Sequence, residues 1–260
     1  MTQPNPGQTD FAPVERIEAR PGGLSGVLLV CDHAANAVPP VLGDLGLGAA
    51  DMARHIAYDI GARGVTLGLA ERLGAAAVLS TYSRLVIDPN RGEDDPTLVM
   101  KLYDGSIVPG NRHAGPEEVE ARLAAYHRPY HAAIAAALDA AEAEGRAMAL
   151  VSVHSFTPQL RGRAPRPWHV GLLWNRDERL VAPLRRALTA DPALVVGDNE
   201  PYTGTLTGDC MDRHGTARAL PHVLIEIRND LIAEAAGQDA WAARLAPLIG
   251  AGVAEALAET

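Results

Sequence analysis

Val27-Leu28-Leu29-Val30-Cys31-Asp32-His33 is an unbroken apolar run of strand length that ends in a carboxylate and an imidazole. A strand with no alternation of apolar and polar residues belongs in a parallel sheet covered on both faces. Two later stretches are built alike: Leu150-Val151-Ser152-Val153-His154 and Val223-Leu224-Ile225-Glu226. In an open α/β sheet, sites assemble at the carboxyl ends of the strands. Two histidines and a glutamate in that position point to a mononuclear metal hydrolase with a separate general base.

Outward from these strands, the chain alternates strand and helix signals. Asp51 to Leu73 reads as helical, interrupted near Asp59-Ile60-Gly61, and Ala76–Leu79 and Leu85–Ile87 read as short strands. A loop-like stretch over 92–111 is followed by a long Ala-rich helix from Pro116 to about Glu144. Met148–Val153, Val170–Trp174, Ala193–Val196 and His222–Ile227 are further strands, with helices over 178–188 and from Asp230 onward. The pattern predicts a three-layer α/β fold, with a mixed, mostly parallel sheet flanked by helices. Residues 1–22 are expected to be a flexible arm, and 23–260 a single α/β hydrolase domain.

Composition narrows the function classes. Hydrophobic residues make up 47% and charged residues 21%, which fits a globular domain with a sizeable core. A formal net charge of -9 argues against nucleic acid or an anionic membrane as a partner. Lys101 is the sole lysine, which leaves little material for Schiff-base chemistry. Cys31 and Cys210 form no disulfide framework, and no apolar run is long enough to span a bilayer. The N-terminal stretch has no signal-peptide pattern, so the expected home is the cytoplasm.

His33 and His154 are the candidate metal ligands, since both would project to one edge of the sheet. A hydrolytic zinc site takes three protein ligands and keeps one open position. Asp59 is the candidate for the third, with His55 as its rival and capping of the following helix as its alternative role. Glu226 is expensive to bury unless paired, so it is either the catalytic base or the partner of Arg228. Arg84, Asn90 and Arg91 surround a short apolar stretch and are candidates for gripping a substrate carboxylate, or else form a solvated face. Arg213 and His214, in the polar stretch 209–214, are expected near the substrate. His127 and His131 are four apart, but Pro129 between them favours packing over metal binding. There is no Gly-x-Ser-x-Gly elbow and no phosphate-binding loop.

Taken in order, these segments resemble the N-formylglutamate amidohydrolase family from about Val27 to Leu231. The resemblance rests on Cys-Asp-His-Ala-Ala-Asn, His-Ile-Ala-Tyr-Asp-Ile-Gly-Ala, Ser-Arg-Leu-Val-Ile-Asp-Pro-Asn-Arg, Asp-Gly-Ser-Ile-Val-Pro-Gly-Asn-Arg, Val-Ser-Val-His-Ser-Phe-Thr-Pro and Ile-Glu-Ile-Arg-Asn-Asp-Leu-Ile. It implies a zinc-carboxypeptidase-like fold, one Zn2+, and hydrolysis of N-formyl-L-glutamate to formate and glutamate in histidine breakdown. It also implies a small acidic N-acyl amino acid as substrate, with no nucleic-acid or membrane partner. Carboxypeptidases of that fold carry a His-x-x-Glu motif, whose last position is Asn36 here. The related zinc amidases place the acidic ligand at the start of the next helix, where Asp59 falls, and Asn90-Arg91 resembles the carboxypeptidases' carboxylate-holding pair. Asp32-His33-Ala34-Ala35 stands where characterised deformylases tend to have Pro-His-Ser-Gly, which implies a side branch with a different acyl group or acid. A zinc amidase or peptidase for another small carboxylate substrate and a metal-free acidic-ligand-binding protein are the alternatives.

Overall fold

The computed structural model describes residues 11–259. Its strands are β1 (Val14–Ile17), β2 (Val27–Cys31), β3 (Ala76–Ser80), β4 (Leu102–Tyr103), β5 (Ser106–Ile107), β6 (Ala149–Phe156), β7 (Val170–Leu173), β8 (Val196–Asp198) and β9 (His222–Arg228). The helices are α1 (Ala49–Met52), α2 (Ala62–Leu73), α3 (Pro116–Arg122), α4 (Arg128–Ala143), α5 (Val181–Thr189), α6 (Cys210–His214) and α7 (Ala235–Ala258). Seven strands form one sheet in the order β1-β3-β2-β6-β9-β7-β8, and β4 and β5 make a separate hairpin. β3, β2, β6 and β9 run parallel, β1 is antiparallel to β3, and β7 is antiparallel to β9. The fold is thus a mixed, mostly parallel α/β sheet with helices on both faces.

The apolar strands behave as their composition dictates. Odd-numbered Val27, Leu29, Cys31, Val151, Val153, Val223, Ile225 and Ile227 pack on one face with Val65 and Leu69 of α2, Leu184 of α5 and Leu245 and Ile249 of α7. Leu28, Val30, Leu150 and Leu224 face the other way, against Tyr130, Ile134 and Leu138 of α4 and Cys210 and Met211 of α6. Asp32, His154 and Glu226 continue this second face beyond the apolar rows.

Several boundaries differ from the sequence reading. Val14–Ile17, expected in a flexible arm, is an edge strand paired with Ala77–Ser80; residues 1–10 of that arm lie outside the described residues. Leu85–Ile87 is no strand but a buried turn, because the Ser83 hydroxyl accepts from Leu85 N and bends the backbone away from a ladder. The strand expected at Ala193–Val196 is shifted to Val196–Asp198, and the terminal helix starts at Ala235 after a 3-10 turn over Asn229–Leu231. In the long helical stretch, a π turn over Leu123–His127 separates α3 from α4. Pro129 sits in the first turn of α4, and the widened turn before it relieves the loss of its N–H.

Gly171 of β7 lies opposite Glu226 of β9. A Cβ there would come 2.0 Å from the Glu200 carbonyl oxygen, so the chain between β8 and α6 closes over the sheet only because this position has no side chain. Gly250, inside α7, has open space around it apart from Leu73 at 3.9 Å. Gly171→Ala should therefore lower stability by about 1–3 kcal/mol through forced overpacking. Gly250→Ala should raise it by about 0.5–1 kcal/mol by lowering unfolded-chain entropy. Thermal or urea unfolding of the two variants checks both signs.

Candidate active site

β6 and β9 are paired in register so that His154 lies directly beside Glu226. Neighbouring parallel strands project paired residues to the same side, so both reach the end of the face covered by α4 and α6. His33 follows β2, the neighbour of β6 on its other side. Asp59 reaches the same point from the turn before α2: its backbone N donates to the His33 carbonyl at 3.0 Å. Gly61 starts α2 with φ +81°, and a Cβ there would meet the Ile232 carbonyl oxygen at 2.0 Å. This left-handed turn, open to glycine, aims Asp59 at the histidines instead of capping the helix.

The Asp59 carboxylate lies 2.8 Å from His154 Nδ1 and 3.4 Å from His33 Nδ1. The other nitrogen of each ring is held by a second carboxylate: His154 Nε2 by Asp32 at 2.7 Å and His33 Nε2 by Asp88 at 2.7 Å. The Nε2–H of each ring thus donates outward to Asp32 or Asp88, and both Nδ1 atoms face Asp59, to which His154 Nδ1 donates; with an ion bound between them, each Nδ1 would give up any proton and offer a lone pair. His33 Nδ1 is buried and has no hydrogen-bond partner among the described residues. Donor atoms of His33, Asp59 and His154 lie within 4.8 Å of one another. Ligands about 2.0–2.2 Å from one tetrahedral ion sit roughly 3.3 Å apart, so the spacing suits a single small cation.

Charge argues for the same fit. Asp32, Asp59, Asp88 and Glu226 are all buried here, against one buried guanidinium, Arg84. Burial pushes the Asp32 carboxyl up, but the hydrogen bond from His154 and the charges of His154 and His33 hold it well below the usual carboxylate range. Tyr130 Oη at 3.0 Å and Ser152 Oγ at 2.8 Å also donate to Asp32. Burial raises the Glu226 carboxyl, with His154 opposing. Glu226 forms no ion pair among the described residues, because Arg228 turns to Asp230 at 2.8 Å; its Oε2 is buried and unpartnered.

These residues open on a cavity of about 500 Å³. Its walls include His33, Asp59, His154, Glu226, Arg84, Asn90 and Arg91, with Tyr103, Phe156, Trp174 and Tyr202 supplying aromatic surface. Arg84 is present but engaged: Nε and Nη2 donate to Asp88 at 3.1 and 2.7 Å, and Nη1 faces Asp59 at 3.6 Å. Asn90 accepts from Cys210 N at 3.1 Å through Oδ1, leaving its amide nitrogen available. His55 also lines the wall, but it faces Asp104 at 3.3 Å and stands apart from the two Nδ1 atoms.

Arg213 and His214 are not brought to this cavity. They line a separate surface recess, because α6 turns them toward α4 while Asp209 and Met211 take the cavity side. His214 Nε2 donates to His131 Nδ1 at 2.9 Å, and His131 Nε2 donates to the Pro89 carbonyl at 2.9 Å. Although Cys210 lies close enough to complete a metal-sized trio with this pair, the hydrogen bonds already use the facing nitrogens. Burial pushes both imidazoles down, His214 to about 4. The sequence reading passed over Asp32 and Asp88 as partners of the histidines. Their one signal was a carboxylate adjoining each strand-end or arginine motif.

A family model described as N-formylglutamate amidohydrolase matches residues 25–233. Among solved structures, the gene product Atu2144 from Agrobacterium tumefaciens is 34% identical, with 94% of this chain and 96% of that chain covered and a TM-score of 0.88. An N-formylglutamate amidohydrolase from Ralstonia eutropha JMP134 shares the fold at 22% identity, covering 96% of this chain and 100% of its own, with a TM-score of 0.73. Comparison with curated proteins returns no match. With most of its length matched to that model, the chain belongs to the N-formylglutamate amidohydrolase family, whose chemistry is the hydrolysis of an amide bond.

Proposed function

We propose that the protein hydrolyses the amide of N-formyl-L-glutamate, or of a close N-acyl amino acid, using one zinc ion held by His33, Asp59 and His154. The observation that carries this reading is the pair of inward-facing Nδ1 atoms around the Asp59 carboxylate, each backed by a second carboxylate on its Nε2. Bound there, zinc would supply Lewis acidity that polarises a carbonyl and makes water a better nucleophile.

The chain's own groups do the rest. Glu226 Oε2, buried and unpartnered, takes a proton from the attacking water and delivers it to the departing amide nitrogen. Burial favours the protonated form of that carboxyl, so it can hold the proton between the two transfers. Asn90 Nδ2 and Arg91 Nη2 are the cavity donors proposed to hold the substrate's carboxylate. Arg84 is occupied by Asp88 and Asp59, and its role is to balance their charge. A small substrate matches the cavity volume, and no helix of the described residues is long and apolar enough to cross a membrane.

Elemental analysis should find close to one zinc per chain, lost from His33→Ala and His154→Ala with the fold retained; full occupancy in either variant overturns the ligand set. Asp32→Asn keeps the shape at His154 Nε2 but removes the charge, and should weaken zinc binding about 10- to 100-fold in a chelator competition. Glu226→Gln should keep the metal while turnover of N-formyl-L-glutamate falls about 100- to 10,000-fold, and a loss under tenfold would refute the base. Arg91→Lys retains charge without the planar fork and should raise the Michaelis constant about 10- to 150-fold, with turnover little changed. A panel of N-acyl amino acids then fixes the acyl group. A metal-free binding protein would show neither tight zinc nor sensitivity to chelator.

A further inference from the structure

On the reading of the cavity as an amide-hydrolase site, we infer that its preferred substrate is an N-acyl amino acid with an apolar side chain, received against Leu173, Leu206, Met211 and Leu224, and that N-formyl-L-glutamate is a poorer one. All four residues line the cavity. Leu224 stands two residues before Glu226 on the same face of β9, roughly 7 Å along the strand. Leu173 of β7 is its partner in the ladder, and Met211 of α6 joins both in one apolar cluster. Leu206 is half-buried in the connection from β8 to α6.

This apolar wall adjoins the proposed carboxylate clamp. Asn90 Oδ1 accepts from Cys210 N at 3.1 Å, which ties the clamp to the first turn of α6, and Met211 is the next residue. In an N-acyl amino acid, one carbon carries the carboxylate, the amide nitrogen and the side chain. With the carboxylate on Asn90 and Arg91 and the nitrogen at Glu226, the side chain is the part left to lie over Met211 and Leu224. The acyl group lies beyond the scissile bond.

The same wall has nothing to hold a second carboxylate. Arg84 and Arg91 are the only guanidinium groups among the described residues that line the cavity, and no lysine does. Arg84 is engaged by Asp88 and Asp59, His55 is turned to Asp104, and Arg91 serves the clamp. His222, two residues before Leu224, donates from Nδ1 to the Leu220 carbonyl at 2.7 Å and meets Thr216 Oγ1 at 3.2 Å through Nε2. Asp209, just before α6, is buried on the cavity wall, accepts from Asp212 N at 2.7 Å and forms no ion pair among the described residues. Burial pushes its carboxyl up to about 7, and Asp32 adds to the push. A glutamate side chain would thus bring another carboxylate to Asp209 and Glu226, whereas a leucine side chain would bury apolar surface.

The test uses full-length zinc-loaded protein and two probe pairs of similar size. L-Leucine and L-glutamate report binding by calorimetry, and N-formyl-L-leucine and N-formyl-L-glutamate report turnover. Wild type should favour the leucine member of each pair by about 10- to 150-fold, the worth of burying one such side chain. Leu206→Ala, at a half-buried position that the fold tolerates, should narrow that gap by about fourfold or more, the worth of one buried methylene. Leu206→Arg should swing the preference toward the glutamate members by supplying the missing cation. Equal or better use of the glutamate members by wild type would overturn the inference and leave the amide-hydrolase reading intact. A leucine preference that neither Leu206 variant moves would overturn the assignment of this wall. If wild type binds leucine over glutamate in a Leu206-dependent way yet cleaves neither formyl compound, the specificity assignment stands and the proposed reaction fails.

Discussion

Four carboxylates buried around two imidazoles and a single guanidinium set the terms for the rest of this molecule. An isolated ionised carboxylate is costly to remove from water, and a cluster of them is untenable without compensating charge and donors. The fold supplies donors from every layer. Tyr130 of α4 and Ser152 of β6 reach Asp32, the Ser155 backbone donates to Asp59, and the Asn90 backbone donates to Asp88. Part of the positive charge comes from a proton held on His154 between Asp32 and Asp59. A dication at the meeting point of the two Nδ1 atoms would complete the balance, and the site reads as a structure built around such an ion.

The strand ends were legible because their chemistry is local. Apolar runs without alternation identify strands buried on both faces, and a histidine or glutamate at their carboxyl ends stands out against that background. Asp59 was harder: helix capping was an equally local explanation, and the resemblance to zinc amidases weighed in its favour. Asp32 and Asp88 escaped because their partners are 122 and 55 residues away, and no periodicity encodes such a contact. Leu85–Ile87 misled for the opposite reason. Three apolar β-prone residues satisfy a strand template, but the Ser83 hydroxyl and the neighbouring turns decide the backbone. Arg213 and His214 share a short helix with cavity residues, and only the packing of α6 on α4 determines which side of it faces the substrate.

The segment from Tyr82 to Arg91 shows how an irregular backbone can be buried at all. Its carbonyl groups lack a ladder and must find other donors. Asn111 donates to the carbonyl of Leu85, Arg122 to that of Val86, and His131 to that of Pro89, while His127 Nε2 lies 3.0 Å from that of Arg91. The two histidines spaced four apart on the long helix therefore serve as struts under Asn90 and Arg91. The π turn beside Pro129 belongs to the same arrangement, since it sets the phase at which His127 and His131 leave the helix.

The register of β6 against β9 carries an evolutionary constraint. Because side chains alternate faces along a strand, deleting one residue from Val223–Ile225 would turn Glu226 into the apolar layer beneath α7 and present Ile227 to His154. Insertions and deletions in this lineage should therefore be absent from the β9 core and gather in the connections after β5 and β7. Those segments can change length without moving the base relative to its neighbouring histidine.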